Sequence, residues 1–391
     1  MNYELILSEV EKYIDSDPLK LALKGVSSEV CNQIKYLNRA KTKLPSYYDV
    51  RAIIPSLSYE QSSSEATAKA KYFGTGELSI DLTCGLGVDS YYISKNYSRH
   101  ISIEQSQILC EIANINFGRL KAQNIEVVNS SAEQFLIENS TLQADLIYCD
   151  PARRDNTKKV FLLEDCSPDM NRIMPLAIKM ARKVVVKLSP MFDVDAARDF
   201  FSKYGCCTIE SVSLKGECKE VVVVVDSENE VNSAILGKDC AVVCSPTSEP
   251  RRYSFSSKNK VVNKSISIKT EGFKYIYIPD VAFYKGRTVE NLIFEYYSCL
   301  DYYIANENSP VMSDTLIENF EGEAYRVVSE QNYKPKELKK VVKQQFGSKA
   351  KILKRDFQFS TEQIKRELSL KDGASPILLF TARKIFVLEK I

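Results

Sequence analysis

ELSIDLTCGLGVDS (77–90), with HISIE (100–104) close behind it, decides the fold of this chain. ELSIDL (77–82) is a half-apolar, strand-like run, and the residues from Val88 begin a helix-like one. Between them the backbone must turn sharply and pass close to a ligand at Gly85 and Gly87, where a Cβ would collide. A helix starting there points its unpaired N–H groups and positive dipole end at an anionic group. Glu104 closes the next strand-like run, about 20 residues on, where an acid accepts hydrogen bonds from ribose hydroxyls in nucleotide-binding α/β folds.

Outward from this loop, strands and helices alternate at regular spacing, the signature of a parallel sheet with crossover helices. HISIE (100–104) is the second strand, and Ser106 caps a helix whose apolar stripe is Ile108, Leu109, Ile112 and Ile115. IEVVN (125–129) is the third strand, followed by a short helix over 132–137. ADLIYC (144–149) is the fourth and runs into DPARR (150–154). Asp169 caps a further helix, VVVKL (184–188) is the fifth strand, and 194–203 returns as a helix. CTIESVSL (207–214) and CKEVVVVVD (218–226) are then separated only by KGE. That is too short for a crossover helix, so the two must pair antiparallel.

Residues 1–58 read as helical, with Leu5, Val10, Tyr13 and Ile14 and later Val30, Ile34 and Leu37 at helical spacing. KLPSYYD (43–49) breaks the pattern, because the residue before Pro45 is pushed towards extended geometry. In EQSSSEATAKAKYFG (60–74), Ser63 or Ser64 caps an Ala-rich helix ending at Gly74 or Gly76. Residues 227–272 are rich in Ser, Asn and Lys, with AVVCS and SISIK as short strand candidates. YIYIP (275–279), a helix over 288–298 and DYYIA (301–305) make a small α/β piece. A helix over 335–346, a strand over 350–359, a second helix with the capping box Ser360…Gln363 and a hairpin over 376–389 complete the chain. The expected domains are a helical segment (1–58), a catalytic-type α/β domain (59–230), a linker or short-strand segment (231–272), a ferredoxin-like subdomain (273–320) and a last α+β module (321–391).

The bulk properties narrow the class. A chain of 391 residues, 44% hydrophobic, supports two or three cored domains. No run of 18 apolar residues occurs, so no transmembrane helix is expected. The start MNYELILSEVEKYIDSD has no basic n-region, and eleven scattered cysteines fit a reducing compartment, which together point to the cytoplasm. With one histidine, His100, and no C-x-x-C pair, a zinc site of usual spacing is not expected, and no metal is assigned. Residues 333–391 hold 15 Lys/Arg against 6 Asp/Glu, net +9, so the first 332 residues carry −7 of the total of +2. A basic terminal module points to a polyanion partner.

The conjunction of Asp81, Gly85 and Gly87, Glu104, NSSAEQFL (129–136) and Asp150-Pro151 resembles the class I S-adenosylmethionine-dependent methyltransferases over about residues 60–226. The resemblance implies a Rossmann-like sheet finished by an antiparallel hairpin, with S-adenosylmethionine as cofactor. Asp81, Cys84, Gly85, Gly87 and Asp89 would take its methionine portion and Glu104 its ribose. Ala132 and Glu133 would lie beside its adenine, and Gln61, from the segment before the first strand, is a further expected contact. Asp150-Pro151 resembles the opening of the (Asp/Asn)-Pro-Pro-aromatic motif of enzymes that methylate exocyclic amino groups. There the acid and the next carbonyl aim the amine at the methyl group. Here Ala152 replaces the second proline and Arg153 stands at the aromatic position, with Arg154 next to it. Arginine stacks on bases or grips phosphate bidentately. Asp150, Pro151, Arg153 and Arg154 are the expected catalytic group.

KLPSYYD, EQSSSEATA, DLTCGLGVD, DPARR, VKLSP and LSLKDGASPILLFTARK (368–384) together resemble a bacterial family of candidate methyltransferases with a C-terminal THUMP-like domain. THUMP modules bind RNA in tRNA-modifying enzymes, so RNA is the implied partner. The basic stretch 334–355 supports this physically. In KPKELKKVVKQQFG, Leu338, Val341, Val342 and Phe346 share one face and leave Lys336, Lys339, Lys340 and Lys343 outward, with Lys349, Lys351, Lys354 and Arg355 following. Such a face contacts phosphates without reading sequence. The expected function is methylation of a base nitrogen in structured RNA, tRNA foremost. The rivals are a small-molecule or protein methyltransferase with an incidental basic tail, and a non-catalytic RNA-binding protein that retains the cofactor. A nicotinamide dehydrogenase comes last, since Ser90 stands where a third glycine is needed. The oligomeric state is left open.

Overall fold

A computed structural model describes residues 3–153, 163, 166–227, 238–256, 271–297, 301–382 and 384–391. By internal contacts the chain divides into two compact units, 1–254 and 255–391. No described helix is long and apolar enough to cross a membrane.

The first unit is built on a sheet with strands β1 (Gly76–Asp81), β2 (Tyr97–Glu104), β3 (Ile125–Asn129) and β4 (Ala144–Cys149). The chain then makes a two-stranded ribbon, β5 (Ala152–Arg153) with β6 (Cys166–Ser167), and returns to the sheet with β7 (Ala181–Leu188), β8 (Cys206–Leu214) and β9 (Glu217–Asp226). β10 (Lys238–Cys244) and β11 (Arg251–Ser256) complete it, in the order β3-β2-β1-β4-β7-β9-β8-β10-β11. β3, β2, β1, β4 and β7 run parallel, and β9 is antiparallel to both β7 and β8. Lys215 and Gly216 both take positive φ (55° and 74°) in the turn between β8 and β9. This left-handed pair suits a two-residue hairpin. The expected antiparallel hairpin is therefore present. The sheet does not end on it, because the first four residues of AVVCS lie in β10, which pairs parallel to β8. SISIK lies outside the described residues.

Both faces of the sheet are buried, and successive residues serve opposite cores, as the pleat requires. Ile147, Val184, Val186, Val221 and Val223 join one core with α9 (Ala132–Glu138), α10 (Met170–Met180) and α11 (Val194–Phe201). Leu146, Tyr148, Val185 and Val222 join the other, with Ala70 and Ile93.

The N-terminal segment forms α1 (Tyr3–Tyr13), α2 (Pro18–Leu23), α3 (Ser28–Lys43), α4 (Pro45–Asp49) and α5 (Ser56–Gln61), then α6 (Glu65–Lys69). Ser64 caps α6, which stops at Ala70 well short of the glycines expected to end it. Ile34, Leu37 and Tyr47 form a core that also takes Leu86, Val88 and Tyr92 of the glycine loop and α7 (Val88–Ser94). Polar clamps fix this contact. Glu65, 2% exposed, accepts from Ser46 N and Oγ (2.6 and 2.9 Å) and from Tyr92 Oη (2.7 Å). The Asn116 amide of α8 (Gln107–Arg119) bonds both the N–H and the carbonyl of Ile53 (2.8 and 2.9 Å). Buried polar groups so satisfied cost little, and losing one partner costs roughly 1–3 kcal/mol.

The second unit carries β12 (Tyr275–Pro279), α12 (Val281–Lys285), α13 (Val289–Asn291) and a π-helical turn over Leu292–Tyr296, then β13 (Tyr302–Tyr303) and β14 (Val311–Ser313). β15 (Gly322–Gln331), α14 (Pro335–Phe346), β16 (Lys349–Lys354), α15 (Thr361–Leu368), β17 (Lys371–Phe380) and β18 (Ile385–Lys390) follow. All seven strands form one sheet, β13-β14-β12-β15-β18-β17-β16, in which only β16 and β17 pair parallel among the described pairs. The capping box Ser360…Gln363 is formed. β15 answers to no element in the sequence reading, and β16 stops at Lys354, before the expected end at 359.

Candidate active site

The loop after β1 is held from below by Asp81. Its Oδ1 accepts from the Thr83 amide (2.8 Å) and hydroxyl (3.2 Å), and its Oδ2 accepts from Ser90 Oγ (2.6 Å). Asp81 is 1% exposed, and burial pushes its carboxyl up to about 7. Thr83 carries the restraint across to β4, because the Asp150 amide donates to Thr83 Oγ1 at 2.7 Å. Glu104, at the tip of β2, accepts from the Gly85 amide (3.0 Å) through Oε2 and from the Ser106 amide (2.8 Å) through Oε1. The glycine loop is thereby tied to both neighbouring strand ends.

The two glycines differ. Gly85 (φ +54°) has only Thr83 O, at 4.0 Å, near the position of an added Cβ. At Gly87 (φ +81°) a Cβ would lie 2.5 Å from Phe117 Cζ, so the clearance found there is for a buried ring of α8. Cys84 packs in that same cluster with Ala113 and Phe117, and burial raises its thiol.

Gln61, Asp81, Cys84, Gly85, Gly87, Asp89, Glu104, Ala132, Glu133, Asp150 and Pro151 all border one cavity of about 650 Å³ at the carboxyl ends of β1, β2 and β4. That size and position are those of small-molecule sites in open α/β sheets. Arg153, in β5, does not border this cavity, and Arg154 lies outside the described residues. Ser58, Gln61, Ser62 and Ser63 supply part of the rim, so the segment before β1 does reach the cavity.

Asp89 stands in a cluster of buried charges. It accepts from Ser63 Oγ (2.9 Å) and Tyr148 Oη (2.7 Å), and lies 3.0 Å from Lys71 Nζ and 3.7 Å from Lys187 Nζ. Lys71 also meets Glu220 at 2.8 Å, and Lys187 meets Asp150 Oδ2 at 2.5 Å. Burial works against each of these charges. Opposing it, Asp150, Asp89 and Glu220 hold the Lys187 ammonium well above its usual range, and Asp89 and Glu220 raise Lys71. Asp89 is held low by the two lysines, whereas burial wins at Glu220 and raises it.

Lys71, Lys187, Glu220 and Thr83 were not expected as site residues. A signal was present in two of them, since VVVKL and KEVVVVVD each carry a charge beside an apolar strand run. A charge there must find a partner. A second cavity, about 850 Å³, adjoins the first and shares Gln61, Ser62, Ser63, Lys187, Lys219 and Glu220 with it. No group of three or more potential metal ligands occurs among the described residues.

A sequence profile described as THUMP domain-like matches residues 322–389, which span β15 to β18. The structure of a candidate methyltransferase from Porphyromonas gingivalis W83 superposes with a TM-score of 0.81 at 25% identity, covering 98% of this chain and 96% of that one. The chain has the class I methyltransferase fold with a C-terminal THUMP-like domain. Weaker likenesses are to a human methyltransferase 10 domain containing protein and to an rRNA methylase from Streptococcus thermophilus. The human protein gives a TM-score of 0.35 at 13% identity, over 49% of this chain and 96% of that one. The streptococcal methylase gives 0.32 at 8%, over 41% and 92%. Among proteins of curated function, none matches this sequence.

S-adenosylmethionine is the cofactor of this methyltransferase fold, and the cavity fits it in three respects. An open cradle lies at Gly85, an acid at the tip of β2, and a buried carboxyl beneath the loop. The cofactor supplies a sulfonium methyl group.

Proposed function

We propose that this chain transfers a methyl group from S-adenosylmethionine to structured RNA in the cytoplasm, with tRNA the foremost substrate. Gly85, Glu104, Ala132 and Glu133 bind the cofactor, with Asp81 beneath the loop and Gln61 at the rim. Asp150 holds the acceptor, and the 850 Å³ cavity beside it admits the acceptor nucleotide. A base within a helix must be unstacked to enter. The observation that carries this reading is the convergence of eleven expected residues on one cavity within a methyltransferase fold that also carries a THUMP-like domain.

In α14, Lys336, Lys339, Lys340 and Lys343 are exposed while Leu338 and Val342 are buried, which supports phosphate contact by this face. Asp150-Pro151 favours a nitrogen acceptor by its motif alone, but the motif does not include the ammonium that sits on Asp150. Incubating the full chain with tritiated S-adenosylmethionine and separated RNA, protein and small-molecule fractions tests the proposal. Label is expected in RNA. Label confined to protein or metabolites removes the RNA reading, and label in none of the three leaves a non-catalytic binder.

A further inference from the structure

Lys187 Nζ lies 2.5 Å from Asp150 Oδ2 where the two cavities meet. Its side chain is 11% exposed and that of Asp150 is 33%, so the carboxylate reaches the open space while the ammonium backs it. The second ammonium of the cluster, Lys71, is taken up by Asp89 and Glu220 at 3.0 and 2.8 Å. Of these two ammoniums, Lys187 is the one that borders both cavities and sits on the Asp150 carboxylate.

The sign of that charge distinguishes the two kinds of acceptor. An amine nitrogen becomes positive as it takes a methyl group, and a bare carboxylate stabilises it. An ammonium seated on that carboxylate cancels the benefit. A hydroxyl oxygen has the opposite need: it must lose a proton and becomes negative on the way to reaction. It therefore gains from a fixed cation beside a proton acceptor.

We propose that the methyl acceptor is a hydroxyl oxygen, the ribose 2′-hydroxyl of RNA, with Asp150 taking its proton and Lys187 stabilising the negative charge on the oxygen. The inference rests on the RNA methyl-transfer reading above and replaces the base nitrogen with a sugar oxygen. In the step, the O–H bond breaks and its proton passes to the Asp150 carboxylate. An electron pair of the oxygen forms the new O–CH3 bond, and the electrons of the broken S–CH3 bond stay on sulfur, leaving a neutral thioether. Asp150 then returns its proton to water. The 2′-hydroxyl is also the group by which a protein distinguishes RNA from DNA.

The test labels RNA with tritiated S-adenosylmethionine and the full chain, then hydrolyses it in alkali. A 2′-O-methyl group blocks cleavage of the adjoining phosphodiester, so label is expected in alkali-stable dinucleotides. Label in mononucleotides, carried on the base, overturns this inference and leaves the RNA reading standing. No label in RNA removes both.

A second arm uses Lys187→Met, with affinity for S-adenosylhomocysteine measured by calorimetry beside the rate. Transfer should fall roughly 100-fold or more while that affinity stays within about threefold. Lys187 also neighbours buried Asp89, so the near-isosteric Asp150→Asn carries the same expectation where Lys187→Met does not fold. A folded variant of either kind that keeps its rate overturns the assignment.

Discussion

Thr83 Oγ1 accepts a hydrogen bond from the Asp150 amide at 2.7 Å and donates one to Asp81 Oδ1 at 3.2 Å. One hydroxyl thus links the cofactor loop to the acceptor end of β4, so a disturbance at either end is felt at the other. Thr83→Val keeps the shape and removes both bonds. It should lower turnover by about tenfold or more through loss of positioning, with cofactor affinity reduced less. Steady-state rates and calorimetry on the same preparation measure the two. An unchanged rate would mean that the link plays no part in catalysis.

Substitution at Gly87 acts on the fold as much as on the ligand. Gly87→Ala forces a left-handed residue to carry a Cβ and drives it into the buried ring of Phe117. A loss of roughly 1–3 kcal/mol is expected by denaturant titration. Gly85→Ala meets open space and should cost only its backbone strain, of the order of 1 kcal/mol, while weakening cofactor binding. The opposite ranking of the two stabilities would contradict the geometry.

Burial holds the Asp81 carboxyl up at about 7, with Asp89 and Asp150 adding to the rise and bonds from Ser90 and Thr83 opposing it. An ammonium of the bound cofactor next to Asp81 would favour its charged form and so expel its proton. Affinity should then rise with pH through about 7 and level off above it, by roughly tenfold between pH 6 and pH 8. Calorimetry at the two values checks this, and Asp81→Asn should flatten the profile. A flat profile for the unaltered protein would separate Asp81 from the ligand.

The basic face of α14 makes a salt-dependent claim. Replacing Lys339, Lys340, Lys343 and Lys354, all exposed, with Gln should leave the fold and cofactor affinity intact. The slope of log K against log salt for tRNA should become shallower by about 0.7 per lost contact on single strands. Coincident slopes would make this face a solubilising surface only.

Much of the first unit could be read from sequence because its central strands are buried on both faces and its helices are capped. β3 and β4 fall at 125–129 and 144–149 as expected, and Asp169 caps α10. β10 is only a candidate in the sequence because it lies in a polar segment and takes its place by pairing parallel to β8, beyond the β8–β9 hairpin. β15 was missed because EAYRVVSEQ alternates weakly and gains its place by pairing with β12 and β18. In the site, the residues on the cofactor loop and strand ends were legible from local motif. The Lys71, Asp89, Lys187 and Glu220 cluster was not, because its members lie 18 to 149 residues apart in sequence from Lys71 and meet only across the folded sheet.

Calorimetric titration of the protein and of Glu104→Ala with S-adenosylmethionine tests the central claim most directly. The unaltered protein should bind one equivalent, and the variant should bind more weakly by roughly 1–3 kcal/mol, the loss of a charge-assisted contact to the ribose. No binding to the unaltered protein, or equal binding to both, would contradict the placement of the cofactor in this cavity.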